Sequence, residues 1–162
     1  MSKPDASPEP LGDAYRPFVS RRARVVATTM GVLSLVVFGG LAVLLPTNAG
    51  LTTWQGGDRV LVALLGVLIA AGCWRYAGIR AVPTPEGLLV RNLVVTRRVA
   101  WAQVVGVQFG GGAPWVTLEL DDTDTVAVMA IQRADGEQAE HEAVRLAGLV
   151  RDLGEAHDHG PA

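Results

Sequence analysis

Hydrophobic and polar positions change their pattern several times along the chain. Residues 25–45 form one uncharged apolar run of 21 residues, about 31 Å long as a helix and enough to cross a bilayer core. Residues 60–74 form a second run of 15, about 22 Å as a helix. By length alone the second fits a short membrane span or a buried helix of a soluble protein. Its flanks favour the membrane: Arg59 and Arg75 can extend toward two interfaces, with Trp54 before it and Trp74 and Tyr76 at its end. The 14-residue connector 46–59, rich in Gly, Thr and Asn, lets one helix return beside the other. Gly39, Gly40, Gly66 and Gly72 are the small residues that permit close helix packing.

After Arg80 the apolar runs become short and are separated by turn residues. Residues 83–87, with two prolines and a glycine, read as a turn. Strands are expected over 88–92 and 94–101, and over 103–109 with Val105, Val107 and Phe109 on one face. Gly110, Gly111 and Gly112 make a loop. Val116, Leu118 and Leu120 alternate with Thr117 and Glu119 in a half-buried strand, and residues 125–131 are rich in β-formers after an acidic turn. Asp135 and Gln138 have the spacing of a capping box. Ala143, Leu146, Val150 and Leu153 then recur at helical spacing, a stripe suited to packing on a sheet.

Charge orients this plan. Lys3, Arg16, Arg21, Arg22 and Arg24 precede the first run, the connector holds only Arg59, and Arg75, Arg80, Arg91, Arg97 and Arg98 follow the second. The positive-inside rule puts both termini in the cytoplasm and the connector outside. A signal peptide is the competing reading, with a cleavage-like Thr47-Asn48-Ala49, but the apolar run exceeds the usual h-region of about 7 to 15 residues. Residues 1–20, with four prolines among polar residues, read as a disordered cytoplasmic tail. From residue 81 onward six Lys and Arg face twelve Asp and Glu, so this half is acidic, and no basic nucleic-acid surface is expected. Its 82 residues suffice for one small domain. Cys73 is the single cysteine, which rules out a disulfide within the chain.

The stretch Pro85-Glu86-Gly87-Leu88-Leu89-Val90-Arg91-Asn92, followed by Thr96-Arg97-Arg98-Val99-Ala100-Trp101-Ala102-Gln103-Val104, resembles the small bacterial pleckstrin-homology-like (PH-like) domain of actinobacterial membrane proteins, including those of the low-molecular-weight protein antigen type. Over residues 78–153 the resemblance implies a PH-like partial barrel with a capping helix, preceded by two transmembrane helices. It brings no catalytic residues. The expected architecture is α+β: a tail to residue 20, a two-helix transmembrane hairpin within 21–77 (about 25–45 and 58–77, with a short external loop), a small antiparallel PH-like β-domain over 78–154 with a C-terminal capping helix, and a disordered tail over 155–162.

Four residues are candidates for lipid or partner contact. Arg91, Arg97 and Arg98 offer positive charge to anionic headgroups, each worth about 1 kcal/mol near such a surface. Trp101 stands at a strand start, where it plugs the open end of the barrel or stacks on a ligand. In eukaryotic PH domains the phosphoinositide site lies at the first hairpin; the turn matched to it here, residues 83–87, carries Glu86. His157 and His159 lack the fixed partners of a metal site. Asp121, Asp122 and Asp124 lack the EF-hand spacing, and the triple glycine lacks the Gly-Lys-Ser/Thr of a phosphate loop. No nucleophile motif is present, so neither enzyme activity nor a cofactor is expected. The expected role is a non-enzymatic interaction surface on the plasma membrane for an unidentified protein or peptide. Anionic-lipid sensing, and assembly into a membrane complex through the helices, are the alternatives.

Overall fold

The computed structural model describes residues 15–44 and 56–158. They form two compact units, and the polar one is discontinuous in sequence: it combines the segment ahead of Arg21 with the chain from Arg80 onward, while residues 21–79 make the apolar unit.

The apolar unit is a helix pair, α1 (Arg21–Leu44) and α2 (Gly56–Ala77). Both are long and apolar enough to cross a membrane, with mean hydropathies of 2.1 and 1.9. A core helix of a soluble protein passes the same test but is mostly buried; here only 17% and 6% of the most apolar stretches are buried. The helices meet where side chains are small. Ser34 Oγ donates to the Gly66 carbonyl at 3.2 Å, a methyl group on Gly66 would lie 2.6 Å from Phe38 Cβ, and one on Gly31 would lie 3.2 Å from Cys73 Cβ. Of the glycines expected at the contact only Gly66 is there; Gly39, Gly40 and Gly72 face open space, and Gly31 takes their part. Arg24 Nε donates to the Ala77 carbonyl at 3.3 Å, which satisfies a terminal carbonyl of α2. The expected external loop falls largely on residues 45–55, outside the described residues.

The polar unit holds two three-stranded antiparallel sheets. The first joins β1 (Arg80–Thr84), β2 (Gly87–Arg91) and β3 (Thr96–Ala100); the second joins β4 (Val104–Gln108), β5 (Trp115–Leu120) and β6 (Thr125–Gln132). Inward residues alternate as strand geometry requires: Ala81 and Pro83, Leu88 and Val90, then Val99 on the first sheet, and Val116, Leu118 and Leu120 on β5. Trp101 opens a short 3-10 turn between the sheets. The capping helix α3 (Glu137–Asp158) buries Ala139, Ala143 and Leu146, with Val150 and Leu153 half-buried on the same stripe.

Several expectations change. Residues 83–87 are not all turn: Arg80–Thr84 is a strand, and Pro85 and Glu86 alone make the hairpin connection. Pro83 is tolerated because β1 lies at the border of its sheet, where a missing N–H costs little. Val94 and Val95 stand outside the strands. In β4 a register shift between Val104 and Gly106 leaves Val104 buried and Val105 66% exposed, and so breaks the period-two alternation expected over 103–109. Asp135 is no helix cap, for its carboxylate is buried and accepts a 3.0 Å bond from Ser20 Oγ. The last helix continues to Asp158, past the expected boundary at residue 154.

The N-terminal expectation changes most. Residues 1–14 lie outside the described residues, but residues 15–20 belong to the domain and are not tail. Phe18 is fully buried and pairs antiparallel with Ala81 through two backbone bonds, 2.8 and 3.1 Å long. Pro83 has no N–H to offer two residues further on, which ends that pairing. Arg145 holds the segment from α3: its guanidinium lies 3.8 Å from the Phe18 ring centre, and it donates to the Arg16 carbonyl at 3.0 Å. Glu142 joins Arg16 and Arg145 in ion pairs of 3.2 and 2.7 Å.

Candidate functional site

The four candidate residues do not form one cluster. Trp101 is 1% exposed, and its indole N–H donates to the Thr84 carbonyl at 2.8 Å. That places its ring in the core, tying the end of β1 to the turn between the sheets.

The three arginines separate by strand alternation. Val99 faces the core, so Arg97 lies on the inner side of β3 and Arg98 on the outer. Arg97 donates to Asp124 of the β5–β6 turn at 2.5 Å. This bond, with the backbone N–H of Thr125 also donating to the carboxylate, holds Asp124 below the usual carboxylate range and raises Arg97 above its own. Arg97 is thus occupied. Arg91 and Arg98 share the outer face, and register adds a residue absent from the sequence expectation: Arg80 stands directly opposite Arg91. Among the described residues none of these three has an acidic partner, and Val82 and Leu89 lie half-buried between them.

Charge is correspondingly polarised within the domain. Residues 80–100 carry four arginines and one acidic residue, Glu86. Residues 101–158 carry three arginines against eleven Asp and Glu. The acidic total read from the sequence conceals a basic sheet.

The β2–β3 connection is fixed firmly. Asn92 N–H donates to the Val95 carbonyl at 3.0 Å, its side-chain amide donates to the Ala127 carbonyl at 2.7 Å, and its Oδ1 accepts from Met129 N–H at 3.3 Å. Asn92 therefore ties the first sheet to β6 of the second. Nothing in local sequence marks that role; only its place after a strand ending in arginine hinted at it.

A second surface lies between β4 and α3. A groove of about 680 Å³ is lined by Trp101, Val104, Val105 and Val107 on one wall and by Ala147 and Val150 on the other. Its β4 wall is a sheet border, because β4 pairs only with β5 among the described residues. No group of three or more His, Cys, Asp or Glu suited to holding a metal occurs among the described residues.

Comparison with known proteins agrees with this architecture. Residues 79–149 match the family model described as Bacterial PH domain. The chain is 38% identical over 103 residues to an uncharacterized protein of Mycobacterium bovis, and to uncharacterized proteins of two Mycobacterium tuberculosis strains. Each alignment covers 64% of this chain and 66% of the relative, so the match spans just under two thirds of those proteins. No solved structure matches. Both sheets and the first turns of the capping helix fall within the stretch that is similar to the bacterial PH domain family, a family that is in general non-catalytic.

Proposed function

We propose that the chain is a non-enzymatic integral protein of the plasma membrane, with both termini cytoplasmic, whose PH-like domain presents a protein- or peptide-binding surface beside the inner leaflet. The border of β4 that has no strand partner among the described residues, beside the β4–α3 groove, is the observation that carries this reading. An extended segment added there would take its main-chain hydrogen bonds from β4 and place alternate apolar side chains against Ala147 and Val150. The exposed valine at residue 105 lies on that border.

The membrane part of the reading is supported by two helices that are apolar and poorly buried. Pairing of Phe18 with Ala81 adds a topological argument. The chain leaves the domain at Ser20 and re-enters it at Arg80, so two spans between those points must begin and end on one side of the bilayer. The charge distribution supports the cytoplasmic side.

A photoreactive residue at Val105 of the full-length chain, in native membranes, is expected to crosslink to a discrete protein. The adduct should disappear with Val150→Glu in the groove and be absent with the probe at exposed Gln138. Labelling that is equal at Val105 and Gln138 would sink the groove. Fluorescence of a reporter protein fused after residue 162 checks the orientation, since a reporter that matures only in the cytoplasm should be bright.

A further inference from the structure

Strand direction places several features at one end of the first sheet. β1 begins there with Arg80, β2 finishes there with Arg91, and the β2–β3 tip lies beyond them. It is also the end at which the domain's chain runs into residues 21 and 79. At that tip Val94 is 84% and Val95 60% exposed, in a domain whose other valines on the first sheet are buried or half-buried. The tip is not a loose loop. Asn92 closes it through Val95 and clamps it to β6, and the Arg97–Asp124 pair fastens its other arm.

Arg80 and Arg91 stand opposite each other, with Arg98 diagonal to Arg91 across the sheet. Like charges in that register oppose folding unless something of opposite sign lies against them. No acidic side chain among the described residues does so, and β1, β2 and β3 contain none. A fixed apolar tip backed by unneutralised guanidinium groups has the chemistry of a bilayer interface, with valines below the headgroups and arginines among the phosphates.

We infer that the Asn92–Val95 tip inserts into the headgroup region of the bilayer, with Arg80, Arg91 and Arg98 binding the phosphates of anionic phospholipids. This surface lies apart from the β4–α3 groove. It rests on the membrane reading proposed above, though not on any partner in the groove. The chain holds the domain at the bilayer; the tip fixes which face it turns toward the lipid. A domain tied down in this way presents the groove in one orientation.

The test uses the full-length chain with Cys73→Ala and Val94→Cys, labelled with an environment-sensitive fluorophore in nanodiscs. Resistance to alkaline extraction in vesicles first establishes that the protein is integral, so failure of the anchor is seen separately. With equal parts phosphatidylglycerol and phosphatidylcholine, the probe is expected to shift to the blue and to be quenched by lipids brominated near the glycerol. In pure phosphatidylcholine both effects should be largely lost, as they should be with Arg80→Glu, Arg91→Glu and Arg98→Glu together, or at about 0.5 M salt. The exposed double variant Val94→Ser, Val95→Ser, labelled instead through Leu93→Cys, should lose quenching with no change in thermal midpoint. Equal quenching in the two lipid mixtures overturns the anionic preference, and absence of quenching in both overturns insertion. Protection of the probe only in native membranes would assign the basic face to an acidic protein and overturn the lipid assignment.

Discussion

Valine behaves in opposite ways in the two units of this molecule. Val36 on α1 is 66% exposed and Val43 is 75% exposed, while Val116 on β5 and Val128 on β6 are fully buried. Of the large apolar residues that stand exposed among the described residues, nineteen lie on the helix pair and only Val94, Val95, Val105 and Val144 on the domain. The four exceptions are informative because three of them fall on the tip and the groove wall. In the domain, apolar side chains are consumed by a core between two sheets and a helix. In the helix pair they surround each helix, and the helices meet at small residues that include Gly31, Ser34 and Gly66. A unit that leaves so much apolar surface outward has the length and surface that a membrane-spanning pair requires.

Four perturbations would break or sharpen that contrast. Phe18→Ala should have the largest effect, because it removes a fully buried ring that joins the N-terminal segment to the domain. A loss of about 3–5 kcal/mol in domain stability is expected, read by denaturant unfolding, with the helix pair still retained by membranes. If Phe18→Ala leaves stability unchanged, the segment is an accessory and not part of the core. Gly87→Ala comes next, since a methyl group there would overlap the Val99 carbonyl oxygen across the β2–β3 ladder. About 1–3 kcal/mol should be lost, visible as faster hydrogen exchange along β2 and β3.

The helix pair is tested by chemistry instead of stability. With Gly31→Cys the new thiol should form a disulfide with Cys73 under mild oxidation, because a Cβ on residue 31 would lie 3.2 Å from that of Cys73 and small helix shifts bring the pair to bonding geometry. Adding Gly66→Leu should suppress the crosslink by forcing Phe38 away, and leave the domain's unfolding unchanged. The smallest effect is expected at Asp124. Its folded-state pKa is depressed by Arg97, so its contribution is present above the ordinary carboxylate range and fades as pH falls through the lowered value. The pair is solvent-exposed, so the acid-side drop in the thermal midpoint should be slight, and Asp124→Asn should abolish that increment alone.

Much of this was legible in the chain. The two apolar runs marked the helices, and the alternation of Val116, Leu118 and Leu120 marked β5 and its buried face. What remained hidden depends on partners distant in sequence. Tyr15 to Ser20 look like the end of a polar tail because the residues that accept them, Ala81, Asp135, Glu142 and Arg145, lie 63 to 129 positions away. Arg97 and Arg98 read as a pair in sequence, but strand alternation sends them to opposite faces, and Asp124 neutralises one. Arg80 became part of the basic face only when register set it against Arg91. A single register shift in β4 interrupts the alternation that set Val105 on one face with Val107 and Phe109, a change that periodicity cannot foresee.

The bond between Phe18 and Ala81 also sets an order of events during synthesis. Residue 18 leaves the ribosome 63 residues before its partner, a delay of roughly 3 to 13 s at about 5–20 residues per second. Both apolar segments are made in that interval. If both segments span the membrane as proposed, residue 18 waits without Ala81 until the second segment has been delivered and the chain has come back to the same compartment. If only one segment were threaded, residues 18 and 81 would be stranded on opposite sides and the domain would have no route to completion. Under the proposed topology, folding of the domain would act as a proofreading step for its own anchor.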